Sequence, residues 1–129
     1  MAIAERRLAA EFARPGFDRP GSAVVDHRVF GIVSDGDLQE GIASEAASLA
    51  GHLGLGRLVA VYDDNHITID GDTSLALRDD TAARFAAYGW HVINVGDAAH
   101  DLDALERATH EAIAETSRPT LIIVRSHIG

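Results

Sequence analysis

Two apolar runs, each ending in an acidic turn, constrain this chain more than anything else in it. The first, Val29-Phe30-Gly31-Ile32-Val33, leads into Ser34-Asp35-Gly36-Asp37 and then into a stretch with helical spacing. The second, Leu58-Val59-Ala60-Val61-Tyr62, leads into Asp63-Asp64-Asn65-His66-Ile67. Short apolar runs stopped by turns read as buried strands of a parallel sheet. Their ends would therefore carry Asp35 and Asn65 to one sheet edge. A carboxylate and a neutral amide suit a hard divalent cation that keeps part of its shell for phosphate oxygens. Gly36 lets the backbone approach those phosphates, and the helix N-terminus after it favours their negative charge. The same letters also allow a plainer reading, with Asp35-Gly36 an ordinary turn and Asn65 a hydrogen-bonding loop residue.

The rest of the chain alternates in the same way. Residues 2–13 read as a helix with Ile3, Leu8, Ala9 and Phe12 on an apolar side and Arg6, Arg7 and Glu11 on a wet one. Pro15-Gly16 ends it, and Phe17 to Ser22 is a loop. Residues 28–33 read as a buried strand. In the next helix Leu38, Ile42, Leu49 and Leu53 share one side, and Ala43, Ala47 and Ala50 offer a small side for close packing. Residues 58–62 form a second strand and 66–78 an ordered excursion. Asp79 or Asp80 caps a helix through Tyr88, residues 90–95 form a third strand, Asp101 caps a further helix, and Thr120 to Val124 is a last strand. Strand–helix alternation predicts a three-layer α/β sandwich with a mostly parallel sheet, whose ligands sit beyond the carboxyl ends of the strands at a topological switch point.

Composition narrows the function classes. A chain of 129 residues is one domain's worth, and 47% apolar residues with even spacing read as globular. A net charge of −9 argues against a nucleic-acid partner, which would need a basic face. No apolar run is long enough to span a membrane, and the first residues lack a signal peptide's order. With no cysteine there are no disulfides or thiolate metal sites, which fits a cytoplasmic protein. All 11 basic residues are arginine. The missing lysine removes Schiff-base chemistry and a Walker A loop. The seven histidines show no metal-ligand spacing, and only His66 falls near the two turns. No serine sits in a nucleophile elbow.

Asp-Gly followed about thirty residues later by Asn resembles the metal and diphosphate signature of thiamine diphosphate enzymes. The stretches Ser34 to Leu53 and Tyr62 to Thr73 are similar to transketolases almost letter for letter, and the likeness runs from Met1 to Gly129. This resemblance implies a partial thiamin diphosphate-binding-like fold, with residues 1–129 a single partial diphosphate-binding domain. It implies side-chain ligation of Mg²⁺ or Ca²⁺ by Asp35 and Asn65 and carbonyl ligation by Ile67. The ion would bridge the phosphates of thiamine diphosphate, with Gly36 against the diphosphate and Ile69 near the thiazolium ring. Glu40 and Glu45 match glutamates of a carboxylate network near the subunit interface that links the two cofactor sites of a dimer. Unaided by the resemblance, both would read as solvated acids near a helix N-terminus. Asp63 and Asp64 are read as turn caps or partners of arginines.

The resemblance also marks what the chain lacks. Transketolases, enzymes of the pentose phosphate pathway that transfer two-carbon ketol units between sugar phosphates, are far longer. A Gly-rich motif and histidines upstream, active-site loops downstream and the pyrimidine-binding domain with its ylide-forming glutamate fall outside residues 1–129. The expected function is therefore a metal and thiamine diphosphate half-site, inactive alone. Companion chains would carry the missing segments, sugar phosphates would enter only in a complete enzyme, and the chain itself would form a homo-oligomer. The alternative is a non-catalytic remnant acting as a structural or interaction module. A metal-dependent phosphatase or receiver domain is disfavoured by the absent lysine.

Overall fold

The chain runs α1 (Ala2–Phe12), β1 (Val29–Ser34), α2 (Asp35–Gln39), α3 (Gly41–His52), β2 (Leu58–Asp64), a hairpin of β3 (Ile67–Thr68) and β4 (Gly71–Asp72), a 3₁₀ turn (Thr73–Leu75), α4 (Thr81–Ala87), β5 (His91–Gly96), α5 (Leu102–Ala114) and β6 (Thr120–Arg125). These elements come from a computed structural model that describes residues 1–14, 16, 23–69 and 71–128. The expected loop over Phe17–Ser22, Pro15 of the helix-ending pair and Asp70 of the excursion lie outside the described residues.

Among the described residues, four strands form one parallel sheet in the order β1-β2-β6-β5. One face packs Ala60, Tyr62, Leu121 and Ile123 against Ala47 and Ala50 of α3 and Phe85 of α4. The other packs Val59, Ile93, Ile122 and Val124 against Ala108 and Ala112 of α5. The expected three-layer α/β architecture is thus present. The chain crosses the sheet in one direction through α3 and α4, then steps back from β5 to β6 through α5 on the opposite face. Right-handed crossovers require that exchange of faces when the direction reverses. The step back inserts β6 beside β2, which places Arg125 in register with Asp64.

Local signals placed several boundaries as expected. Asp80 accepts from the Ala83 N–H and Asp101 from the Ala104 N–H, both at 2.9 Å, and so start α4 and α5. Trp90 lies beneath α3, where its indole N–H donates to the Ala47 carbonyl at 2.8 Å.

Three expectations about faces fail for tertiary reasons. In α1 the buried residues are Ala2 and Glu5, whereas Ile3, Leu8 and Phe12 are exposed. The helix lies against the base of the sheet, where Glu5 meets Arg57 at 3.7 Å and Arg6 donates to the carbonyls of Leu53 and Gly54. β1 is an edge strand, and α5 does not extend over it; Phe30 and Ile32 are consequently 53% and 82% exposed. The helix after Ser34 breaks at Glu40, whose extended backbone ends α2 and begins α3. That break rotates the face pattern, so Leu38 is buried while Ile42 and Leu49 face outward. Ala47 and Ala50 belong to the chain's own core, which overturns the alanine side as a surface for self-association.

Candidate functional site

At the carboxyl edge of the sheet, Ser34 at the end of β1 stands in register with Asp63 of β2. Asp37 Oδ2 accepts from both the backbone N–H (2.8 Å) and the hydroxyl (2.9 Å) of Ser34. These contacts, led by the backbone one, hold the Asp37 carboxyl below its ordinary range. They also fix the turn that directs Asp35 inward, and Asp35 is only 2% exposed. Its Oδ1 accepts from the Tyr62 hydroxyl at 2.5 Å and its Oδ2 from the His66 backbone N–H at 2.9 Å. Both donors are neutral. Among the described residues no ion pair involves Asp35. Burial first, and then the hydrogen bond to Asp35, push the Tyr62 phenol above its usual range, so it remains a proton donor.

The second turn is equally ordered. Asn65 Nδ2 donates to Asp63 Oδ2, and Asn65 Oδ1 accepts from the Ile67 N–H, each at 2.9 Å. His66 between them has a φ of 60°, and its carbonyl accepts from the Thr73 N–H at 3.0 Å. That left-handed conformation is uncommon outside glycine. Here it is over-determined by backbone bonds on both sides and by a ring held against Arg125, with Nη2 2.9 Å from Nδ1. Arg125 also reaches Asp64 at 3.2 Å, and Ser126 donates its hydroxyl to Asp63. Asp63 and Asp64 therefore do cap the turn and pair with an arginine.

Asp35 and the Asn65 turn are thus brought together, since Asp35 bonds the residue directly after Asn65. A cleft of about 360 Å³ opens beside them, lined by Asp35, Tyr62, Asp64, His66, Asp72 and Asn94 among others. Gly36, Asn65, Ile67 and Ile69 lie outside that lining. Space over Gly36 is open, with no atom within 4 Å of where a Cβ would stand. Ile67 is 41% exposed and Ile69 wholly so. Glu40 at the α2–α3 break and Glu45 on α3 are exposed, and neither makes a side-chain hydrogen bond or ion pair among the described residues.

The donor chemistry fits a hard cation. Each Asp35 oxygen and Asn65 Oδ1 has one protein donor and retains a further lone pair. Among the described residues no three His, Asp or Glu side chains form a cage, so a cation here would depend on amide and main-chain oxygens as well. The helix end is a weaker contributor than expected. α2 has only five residues, and its first turn already carries Asp35 and Asp37. Attraction for a phosphate would have to come through the ion.

The model for the thiamine diphosphate-binding domain of transketolase matches residues 1–129. The chain belongs to the transketolase family. It is 56% identical over its whole length to the plasmid-encoded transketolase of Cupriavidus necator and 51% identical to a transketolase of Nostoc sp.. In each case it spans 18% of the relative's length. The transketolase structure from Leishmania mexicana superposes with a TM-score of 0.89 at 43% identity, covering 96% of this chain and 18% of that one. A Pichia stipitis transketolase in complex with sedoheptulose 7-phosphate matches equally well, at 0.89 and 43%. The family membership and the partial thiamine diphosphate-binding-like fold expected from sequence are therefore established. No helix among the described residues is long and apolar enough to cross a membrane.

Sequence reasoning singled out Asp35, Asn65 and His66 but missed Tyr62 and Arg125. A signal for Tyr62 did exist. It closes an apolar strand with the one residue whose polar tip must find a partner when buried. For Arg125 there was none, because its place beside Asp64 depends on the strand order.

Proposed function

We propose that this chain is the metal and diphosphate half-site of a transketolase. In this reading Asp35 and Asn65 bind Mg²⁺ or Ca²⁺ through their side chains and Ile67 through its carbonyl, Gly36 lies along the diphosphate, and Ile69 borders the thiazolium. The single observation that carries it is the buried Asp35 carboxylate, held among the described residues by neutral donors alone. A buried charge without a counter-charge is costly, and a divalent cation supplies one. When bound, thiamine diphosphate provides the group that stabilises a carbanion during transfer. The chain's own part is to hold the ion and keep it away from bulk water.

Two-carbon ketol transfer between sugar phosphates then belongs to a complete cytoplasmic assembly that includes the four-fifths of the family's length these 129 residues do not span. Glu40 and Glu45 stand on exposed backbone that a second copy could meet. With the alanines buried, the outward side of α3 around Ile42, Glu45 and Leu49 is the surface for such association. Calorimetry tests the half-site: thiamine diphosphate with Mg²⁺ should bind the wild-type chain and not Asp35→Ala. A wild-type chain that binds neither would leave the structural-module reading. In a coupled assay with ketose donor and aldose acceptor the chain alone should show no turnover, and turnover abolished in Asp35→Ala would refute the half-site view.

A further inference from the structure

The phenol of Tyr62 stands between two carboxylates. Its oxygen lies 2.5 Å from Asp35 Oδ1 and 3.3 Å from Asp64 Oδ1, and it has a single proton to donate. The distances assign that proton to Asp35. Tyr62 projects from β2, which is paired on both sides, and the residue is 4% exposed within the α3–α4 core. The hydroxyl therefore has little freedom to move. It fixes Asp35 Oδ1 while the His66 N–H fixes Oδ2, so the carboxylate cannot rotate. Asp64 has a cationic partner of its own in Arg125, whereas Asp35 has none among the described residues.

We infer that Tyr62 is a positioning residue for the cation: it presets the Asp35 carboxylate and keeps Asp64 from competing as a ligand. This inference rests on the metal reading above. Groups that orient a ligand from behind typically cost about 10–100-fold in metal affinity when removed. Tyr62→Phe retains the ring and its packing but deletes the donor. It leaves Asp35 free to turn and two negative groups facing each other.

The experiment titrates the full chain with Mn²⁺ in the presence of thiamine diphosphate, following the bound ion by electron paramagnetic resonance, with a circular dichroism melt of every variant. Tyr62→Phe should melt cooperatively and bind Mn²⁺ at least about tenfold more weakly than wild type. A folded Tyr62→Phe with affinity within about twofold of wild type overturns the assignment while leaving the metal site intact. Should Tyr62→Phe fail to fold, Asp64→Asn decides. Removing a competitor that does not ligate should leave affinity within about threefold, whereas a loss as large as that of Asp35→Asn makes Asp64 a ligand and overturns the inference. A wild-type chain that binds no Mn²⁺ overturns the metal reading and this inference with it.

Discussion

Glu5 and Asp35 are both buried carboxylates, at 4% and 2% exposure, and they stand at opposite edges of the same sheet. Glu5, at the base, faces the Arg57 guanidinium at 3.7 Å, and Arg57 also pairs with Asp26. Asp35, at the carboxyl edge, has a phenol and a backbone N–H and no cation among the described residues. The first arrangement is complete within the chain and ties α1 to the β2 end of the sheet. The second leaves a buried carboxylate with no cationic partner among the described residues, a charge that a bound cation would balance. Strain and unpaired charge that a fold keeps are best explained by a site. Burial alone did not separate the two residues; their partners did.

The comparison makes predictions that fall in order of size. Arg57→Ala strands the Glu5 charge, and losing one partner of a buried pair costs about 3–5 kcal/mol. With Arg57 34% exposed on its side chain, the loss should fall at the lower end, about 3 kcal/mol by urea unfolding. A cost under about 0.5 kcal/mol would mean that water already solvates Glu5. Next, Mg²⁺ with thiamine diphosphate at 100 times its dissociation constant should stabilise the wild-type chain by about 2.7 kcal/mol and leave Asp35→Ala unmoved. Glu5→Gln should be less stable throughout yet gain the same increment.

Third, in EDTA, Asp35→Asn should be as stable as wild type or more stable by about 1 kcal/mol, because it deletes a buried charge that has no cationic partner among the described residues. A clear loss in the metal-free melt would show that Asp35 serves the fold as Glu5 does.

The smallest effect concerns Glu115, a partly buried carboxylate whose pKa falls to about 2 because of the Ser117 hydroxyl first and then its backbone N–H. A folded pKa below the unfolded value means stability that is present above about 4.5 and lost as pH falls toward about 2. The difference in melting temperature between wild type and Glu115→Gln should shrink through that window, whereas the Arg57→Ala deficit should persist above it.

How far the site could be read from letters follows the same division. Asp80 and Asp101 announce their helices because each cap acts on a residue three positions away. Asp35 and Asn65 were placed at one edge because parallel strands all end on the same side. Tyr62 meets Asp35 across 27 positions and Arg125 meets Asp64 across 61, and no local pattern encodes either meeting. Apolar runs were legible as strands, but not their cover. VFGIVS and TLIIVR read alike, yet β1 leaves Ile32 at 82% exposure while β6 buries Leu121 completely.

The sequence by itself determined the alternation of strands and helices, their caps, the edge where Asp35 and Asn65 gather, and, by its likeness to transketolases, the family. These depend on spacing, turn chemistry and the common direction of parallel strands. Only the tertiary structure decided which apolar faces are covered, that Glu40 breaks the helix, that Ala47 and Ala50 pack inward, and that Tyr62 rather than an arginine holds Asp35. Each of those depends on which strand lies next to which. Strand order is set by the crossovers and the packing of the whole sheet, whereas a residue's letters record only its own preferences.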